Sequence, residues 1–592
     1  MITNNSFNDL PEDAKTDREM AGLVSAFYKD SDEYHASYFE SMREYFGFYD
    51  GSRQWFEKNA QGEWVDIKKV LNQQGKLALT QNMIFPMVNI VQGIQNDSRL
   101  SLKAIPRSQE DTAVADAMSE ILRWMWDGSK VDRLLSQAFE SGNICGRGWM
   151  GIEQVDDDLD IFRTKTIFSN VDAGEIRYDQ KGRAYDLGDC DYLIRSRVLS
   201  RSLAKIVWDK KAYELSQFYS QLDSNYQSTR MDTQWAAYRR SVEILECWYR
   251  VYELRTLLFD PNQGQVHDIT DLPEEEMGAM LQMYPDVKVM RRKRQVMKFA
   301  RVAGSNNGVF LDGGASPYED NYFPYVPYFA YHTRDIDFGI VHNIMDAQRE
   351  INKRDTQVLH FINQLPKTRV ITDNQEDADM FEQGHDITVL KGNFKILDPP
   401  QFPLAYAKAS ETSERKMKVI ANLPDDIRGV RGGSDSGVVV DIRRQQAMGG
   451  IASLFDNLQW TSENMAMVMA SRIRQFMSPE HIARVLGQEK ANPEVIQAMK
   501  TMTVETYDYA ITQSPSSPTL RAENWAKIKD LMTIMPLPPE VVIEASDIVQ
   551  KDAVLADFEA KKQAMEQQQK GINPGALPPS NTGALPVKAI GE

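Results

Sequence analysis

The chain has 592 residues, 42% of them hydrophobic and 26% charged, which is typical of three to four ordinary globular domains with a large core. Asp and Glu outnumber Lys and Arg by 85 to 68, and the formal charge of −17 excludes a protein dedicated to binding nucleic acid through excess positive charge. We expect no signal peptide and no membrane span. Cys145, Cys190 and Cys247 are too few for a disulfide framework or a zinc site, which favours a protein made in a reducing cytoplasm.

The first part of the chain is predicted to be helical. Aromatic side chains from Phe27 to Phe46 recur at spacings of three, four and seven, which predicts a helix within residues 1–50. Three further helices are predicted, over 79–98 with a break at Pro86, over 111–126, and over 131–141 with its end at Gly142.

The pattern then changes to short apolar or alternating runs, which are typical of strands. The predicted strands lie within 149–155, 161–168, 192–198, 242–259 and 286–303. A helical segment is predicted over 200–222. Residues 304–328 are rich in Gly, Asn, Pro and Tyr and are interpreted as a long loop.

Helices return in the last part. The pattern predicts a long helix over 339–364, short strands and turns over 370–400, and a helix over 405–422. The glycine-rich IRGVRGGSDSG follows at 427–437, and 438–476 contains no proline, with Gly449-Gly450 as a place for a kink. Shorter helices are predicted over 479–570. The tail 571–592 is rich in Pro and Gly and is predicted to be disordered. The fold class is therefore α+β, mainly helical.

Motifs that would indicate catalysis are missing from the sequence. There is no GxxxxGK[ST], GxSxG or HExxH, and Asp337-Phe338-Gly339 is interpreted as a chance match to a kinase triplet. The acidic cluster Asp156, Asp157, Asp158 and Asp160 offers oxygen ligands for a divalent cation, but its spacing favours a solvated hairpin turn. We predict no enzyme, no metal site and no cofactor.

Two groups of basic residues are candidates for contact with phosphate. Arg291-Arg292-Lys293-Arg294 is interpreted as an exposed strand face, with phosphate contact as the alternative. The second group, on the glycine-rich loop and the start of the long helix, comprises Arg428, Arg431, Arg443 and Arg444. These arginines fit either non-specific contact with a nucleic-acid backbone or salt bridges between subunits.

Four blocks of sequence carry a family resemblance. They are QNMIFPMVNIVQGIQNDSRLSLKAIPR at 81–107; DTAVADAMSEILRWMW with QAFESGNICGRGWMGIE; VDAGEIRYD through GDCDYLIRSRVLS, with Asp179 and Asp191; and DFGIVHNIMDAQREINKRDTQVLHFI, an Asp-x-Gln-x-x-x-Asn helix. In this order, followed by a helix, a glycine loop and a long helix, the chain resembles the portal proteins of tailed bacteriophages, in particular those of short-tailed (podovirus-type) phages.

The resemblance implies a non-enzymatic ring, usually of twelve subunits, at one capsid vertex of the virion, made in the host cytoplasm. Such a ring would pass double-stranded DNA during packaging and ejection. Its partners would be the major capsid and scaffolding proteins, the terminase motor and a tail adaptor, with no membrane. Two alternatives stay open: a head–tail adaptor that forms no ring, and a metal-dependent DNA-processing enzyme.

The resemblance also implies a division of the chain. The segments would be a wing (1–338), stem helices (339–364 and 405–422), a clip (365–404), a tunnel loop (423–437), a long kinked helix (438–476), a crown (477–570) and a disordered tail (571–592). Arg428, Arg431, Arg443 and Arg444 would face DNA in the tunnel, and Gly449 and Gly450 would form a hinge.

Overall fold

The structure, a computed structural model, describes most of the chain up to residue 512. The described residues are 16–97, 101–106, 112–156, 164–216, 241–260, 265–270, 288–304, 308–333, 336–364, 369–373, 375, 393–397, 404–422, 449–487, 492–501, 507–512, 528–529 and 532. The chain divides into two compact units, residues 1–96 with 100–513, and residues 97–99 with 514–592. All elements below belong to the first unit, except the last residue of α3.

Helices occur at both ends of the described chain and flank a strand-rich middle. They are α1 (Asp17–Tyr49), α2 (Ile67–Gln73), α3 (Ile84–Asp97), α4 (Thr112–Gly128), α5 (Val131–Cys145), α6 (Arg201–Val207), α7 (Ala212–Ser216), α8 (Ile340–Gln364), α9 (Leu404–Ile420), α10 (Ala452–Phe476), α11 (Pro479–Leu486) and α12 (Pro493–Thr501). Mixed helix and strand confirm the α+β class.

The strands pair antiparallel throughout the described residues. They are β1 (Phe56–Lys58), β2 (Trp64–Asp66), β3 (Ser101–Pro106), β4 (Arg147–Asp156), β5 (Thr164–Val171), β6 (Ile176–Tyr178), β7 (Tyr192–Ser200), β8 (Ser241–Asp260), β9 (Gln265–Asp268), β10 (Lys288–Ala303), β11 (Val309–Ala315), β12 (Tyr325–Phe329), β13 (Tyr331–Thr333), β14 (Ile336–Phe338), β15 (Arg369–Thr372), β16 (Phe394–Leu397) and β17 (Tyr507–Thr512). The largest sheet has the order β11-β10-β8-β7-β6, with β9 beside β8, and a second sheet has the order β12-β4-β5.

Helix α1 joins two hydrophobic cores. Thr16 and Glu19 form a capping box at its start, which satisfies two main-chain N–H groups there. In its first half, Val24 and Tyr28 pack against Leu245 and other side chains of the large sheet. In its second half, Met42 and other apolar side chains enter the main core with α3, α4, α5 and α8. The helix therefore spans the large sheet and the helical part of the same unit.

Some helix predictions are wrong at their limits. Pro86 does not break a helix, because α3 begins at Ile84 and its first turn needs no main-chain N–H donor from residue 86. Helix α5 continues past Gly142, which is buried inside the helix. An added Cβ at this position would lie 2.4 Å from the Tyr328 ring, so the glycine serves close packing. The turn residue is Gly146, with φ of 93°. The segment predicted as one helix over 200–222 instead contains α6, a single 3-10 turn and α7 in its described part.

Two regions predicted to have other structures contain strands. The predicted loop at 304–328 contains β11 and most of β12. Gly313 lies in β11, where an added Cβ would stand 2.7 Å from the Phe299 carbonyl oxygen. Pro327 is tolerated because β12 is an edge strand. In the region predicted to hold short helices, β17 pairs with β3, a strand about 400 residues earlier in the chain.

The elements from α8 to α9 follow the predicted order. Helix α8 and helix α9 pack against each other, and the two-stranded antiparallel sheet β15–β16 lies between them in sequence. In the part of the chain that the structure describes, no helix is long and apolar enough to cross a membrane.

Candidate functional site

None of the residues predicted to face DNA is among the described residues, whereas the predicted hinge is. Arg428, Arg431, Arg443 and Arg444 lie outside the described residues. Gly449 and Gly450 lie directly before α10, which begins at Ala452, and residues 450 and 451 form a turn. The hinge and the kinked helix therefore stay predictions.

Helix α10 itself is fixed to the sheet β12-β4-β5. Thr461 Oγ1 donates a hydrogen bond to the Pro327 carbonyl oxygen at 3.1 Å, and Asn457 Nδ2 donates to the Ala330 carbonyl oxygen at 3.0 Å. Farther along the helix, Arg472 is 1% exposed, pairs with Asp320 at 2.7 Å, and lies over the Tyr318 ring at 3.3 Å. These contacts hold the helix that follows the predicted tunnel loop.

Helix α8 holds an extended segment, residues 79–83, which we call the strap. Three buried polar side chains of α8 at four-residue intervals accept hydrogen bonds from main-chain N–H groups of the strap. The bonds join Gln348 to Met83 at 2.9 Å, Asn352 to Gln81 at 3.0 Å, and Thr356 to Leu79 at 3.0 Å. Alternate strap residues thus pair with successive turns of α8 in the opposite chain direction.

The two spacings match for a geometric reason. Four helical residues rise about 6 Å, whereas two extended residues span about 6.6 Å. A side-chain acceptor at every fourth position of the helix therefore meets every second N–H group of the strap. Because buried main-chain donors need partners, these three bonds fix the register of the strap on the helix.

A second set of contacts connects this joint to α1. Asn352 Nδ2 donates to Gln54 Oε1 at 2.8 Å, and the Asn82 side chain donates to the Tyr49 carbonyl oxygen, also at 2.8 Å. Asn82 Oδ1 in turn accepts from the first N–H groups of α3, as a helix cap does. Gln348 and Asn352 are at most 1% exposed. The Asp-x-Gln-x-x-x-Asn pattern in the sequence singled out Gln348 and Asn352, but it did not indicate that they bind the strap.

A buried ion pair lies at the start of α8. Arg147 at the beginning of β4 contacts Asp337 in β14, with 2.5 Å between Nε and Oδ2. Tyr178 donates a hydrogen bond to the same carboxylate at 2.8 Å, and His332 bonds its other oxygen. The Arg147 guanidinium also lies 3.7 Å from the centre of the Tyr38 ring. Asp337 is thus part of a structural pair.

The charges of this cluster follow from its burial. Burial alone would raise the pKa of Asp337, but the Arg147 charge and the bonds from His332 and Tyr178 hold it well below its usual range. Burial, followed by the Arg147 charge, lowers the pKa of His35 well below its ordinary value. A neutral His35 fits the geometry, because Nδ1 accepts from Arg147 at 3.1 Å while Nε2–H donates to the Tyr178 carbonyl oxygen at 3.1 Å.

Glycines allow these elements to come together. At Gly146, a Cβ would lie 2.5 Å from the Phe338 nitrogen, and at Gly148 it would lie 1.9 Å from the Ala138 carbonyl oxygen. No side chain fits at such distances. The GRG turn of the second sequence block therefore brings α5, β4 and β14 into direct contact around Arg147.

The acidic cluster and the histidines are the other candidate residues. Asp156 ends β4, while Asp157, Asp158 and Asp160 lie outside the described residues, so the solvated turn stays a prediction. Among the residues that are described, no cluster of His, Cys, Asp and Glu is arranged to hold a metal ion. The two histidines on α8 make structural bonds: His342 with the Tyr45 hydroxyl, and His360 with the Leu77 carbonyl oxygen.

The basic run at 291–294 lies on β10, and all four side chains are exposed. Its pairing with residues 253–256 of β8 confirms the predicted exposed strand.

The side chains described above mainly join elements of the fold to one another. Residues 25–578 match the family of the Phage P22-like portal protein, nearly the whole chain. The chain belongs to that family, which confirms the resemblance found in the four sequence blocks. The family is structural and not catalytic. A search of curated proteins finds no match.

Proposed function

We propose that this chain forms a ring at one vertex of a phage capsid and serves as the conduit for double-stranded DNA during packaging and ejection. The match to the portal family over residues 25–578 carries this proposal. The ring belongs to the virion and, in the simplest form, contains twelve copies. It acts without a cofactor and catalyses no reaction.

In this proposal, α8 and α9 are the stem helices, and the two-stranded sheet β15–β16 belongs to the clip that docks the terminase motor and later the tail adaptor. The elements before residue 338 form the wing, which meets capsid and scaffolding proteins. Residues 477–570 form the crown. The contacts of α8 support its role as a stem, because a helix that transmits force between clip and wing must be held firmly by the surrounding structure. The strap and the Arg147–Asp337 pair provide such contacts.

The charge of the chain is compatible with a conduit. Twelve copies at −17 each carry about −204, so most of the ring repels a polyanion. Strong neutralisation of phosphates would make DNA bind tightly and stop. A few arginines on the loop 423–437 and after it would instead contact the passing duplex briefly. We assign this role to Arg428, Arg431, Arg443 and Arg444.

A packaging assay tests the assignment. Capsids are assembled with a chain in which these four arginines are replaced by Ala, and packaged DNA is measured by nuclease protection. A control chain replaces Lys68, Lys76, Lys205 and Lys210, four exposed lysines of the described surface, by Ala. We expect altered packaging or DNA retention only in the arginine variant. Equal packaging by both variants would contradict a DNA-facing role for these arginines.

The alternatives give different results. A head–tail adaptor without a closed ring would attach to capsids that had been filled through another ring. A DNA-processing enzyme would cleave duplex DNA when a divalent metal is added. Neither result is expected.

A further inference from the structure

A cavity of about 320 Å³ lies between the end of α1 and the β1–β2 hairpin. Its volume is at the lower end of the range of small-ligand sites, which is about 300–1,000 Å³. It therefore admits side chains of a partner but not a whole helix. Three aromatic rings and four charged side chains line this cavity, which we call the α1 pocket: Phe39, Phe56, Trp64, Glu40, Arg43, Glu44 and Arg53.

Both carboxylates of the α1 pocket already have cationic partners. Glu44 pairs with Arg349 of α8, and Glu40 pairs with Lys58 of β1 at 2.8 Å between Oε1 and Nζ. These pairs join α1 to α8 on one side and to the hairpin on the other, so they fix the walls of the pocket. They also provide each carboxylate with a counter-ion, so neither calls for a cationic ligand.

The rings of Phe56 and Trp64 also contact cations of the chain itself. The Arg53 guanidinium carbon lies 5.0 Å from the centre of the Phe56 ring and 5.9 Å from that of Trp64. Lys58 Nζ lies 5.1 Å from the centre of the Trp64 ring. Such contacts are the ones that an aromatic cage offers to a cationic ligand. Because internal cations already make them, a further cation would meet like charge here.

Arg53 is the group of the pocket that lacks a bonded partner. Its main-chain N–H donates to the Gly47 carbonyl oxygen at 2.9 Å, and its stem packs on Gly47, where an added Cβ would lie 2.4 Å from Cγ. These contacts hold the half-buried side chain in place. A guanidinium carries five N–H donors. Among the described residues, none accepts a hydrogen bond from this guanidinium or forms an ion pair with it.

The charges near Arg53 leave room for an anion. Burial, and then the neighbouring charge of Arg43, lowers the pKa of Arg53. The carboxylates of Glu44 and Asp50 oppose this shift only in part, and they act through charge without a hydrogen bond to the guanidinium. A carboxylate bound directly to the free N–H groups would complete the site.

We propose that the α1 pocket binds an acidic segment of a partner protein, with one carboxylate on Arg53 and an adjoining apolar side chain against the aromatic rings. A carboxylate matches the planar fork of a guanidinium, with two parallel hydrogen bonds. Glu40 and Glu44 disfavour a doubly charged phosphate in the same place. The site lies within one subunit, so this inference goes beyond the ring and does not depend on it.

Fluorescence anisotropy of two labelled peptides tests the proposal. In one peptide a glutamate stands between two phenylalanines, and in the matched peptide a glutamine replaces the glutamate. We expect the full-length chain to bind the glutamate peptide roughly 10- to 100-fold more tightly, as for a hydrogen bond to a charged group. R53M keeps the stem over Gly47 but has no donors, so it should bind both peptides equally. The control K68M removes an exposed charge of α2 outside the pocket and should keep the preference.

A second variant separates recognition from packing. R53K keeps the charge and most of the stem but lacks the planar fork, so its preference for the glutamate peptide should fall between those of R53M and the unmodified chain. Hydrogen exchange of α1 and the hairpin shows whether either variant disturbs the fold. If R53M does, R53K decides the matter: an undiminished preference in R53K would overturn recognition by the guanidinium.

Three further results would overturn the proposal. The first is equal binding of the two peptides, or none, by the unmodified chain. The second is tighter binding of a matched lysine or phosphoserine peptide, because it would assign the pocket to a cation or a phosphate. The third is loss of self-association in R53M, measured by sedimentation, because it would assign the pocket to a second copy of the chain. The peptides can be titrated into single subunits or rings, so failure of ring formation leaves this test intact.

Discussion

Replacing Asp337 by Ala should destabilise the packing around the start of α8, by a free energy that can be worked out from the structure. The substitution leaves the Arg147 guanidinium, which is 2% exposed, charged and without its carboxylate. Breaking a buried pair by removing one partner costs about 3–5 kcal/mol. The Tyr178 hydroxyl and His332 lose an acceptor as well, which favours the upper end of that range.

Hydrogen exchange followed by mass spectrometry measures this effect locally. A cost of about 3–5 kcal/mol increases local opening roughly 10²–10⁴-fold, so the amides of β4 and α5 should exchange faster by that factor. Local exchange reports opening at this joint directly, whereas a melting temperature averages over the whole of a chain of this size.

The double variant R147M/D337L is the control. It removes both charges and restores apolar packing, and most of the protection should return. Unchanged exchange in D337A would refute the role of the pair. A double variant as unprotected as D337A would show that the charge left on Arg147 is not the cause.

Three further outcomes are expected. N352A leaves the Gln81 N–H and Gln54 Oε1 buried without partners and should lower the free energy of unfolding by about 2–4 kcal/mol. The measurement is a lower melting temperature. The control D346A, on the exposed side of α8, should leave the melting temperature nearly unchanged. The pKa of His35 is lower in the folded protein than its ordinary value, so its contribution to stability is present above about pH 6.5 and decreases as the pH falls below that value. The melting temperature should therefore fall less between pH 7 and pH 5.5 in H35Q than in the unmodified chain. An equal fall in both would contradict a role for His35 in this pH dependence. Deleting residues 428–437 should leave ring assembly intact and impair DNA retention; loss of the ring itself would contradict the loop assignment.

Local patterns predicted most elements because their causes are local. The aromatic spacing before Phe46 predicted α1, and the apolar runs predicted β4, β7, β8 and β10. Glycine was the least reliable signal. Gly142 and Gly313 mark close packing against Tyr328 and against β10, where a turn was expected.

The joints around α8 could not be predicted, because they depend on contacts between distant parts of the chain. Nothing near Asn352 in sequence indicates that it binds Gln81, 271 residues away. The Arg147–Asp337 pair spans 190 residues. The Asp337-Phe338-Gly339 triplet is a chance match to a kinase triplet as far as catalysis is concerned. The sequence did not indicate that the Asp337 carboxylate forms a structural ion pair with Arg147. The pairing of β17 with β3 was missed for the same reason of distance.

Electron microscopy of the purified full-length protein in negative stain tests the central proposal most directly. Top views, averaged by rotational symmetry, should show closed rings with a central hole and about twelve subunits, as the portal resemblance implies. The protein should be imaged alone and after co-expression with its capsid and scaffolding proteins. Single subunits or open chains under both conditions would contradict the proposal that this chain forms the DNA conduit.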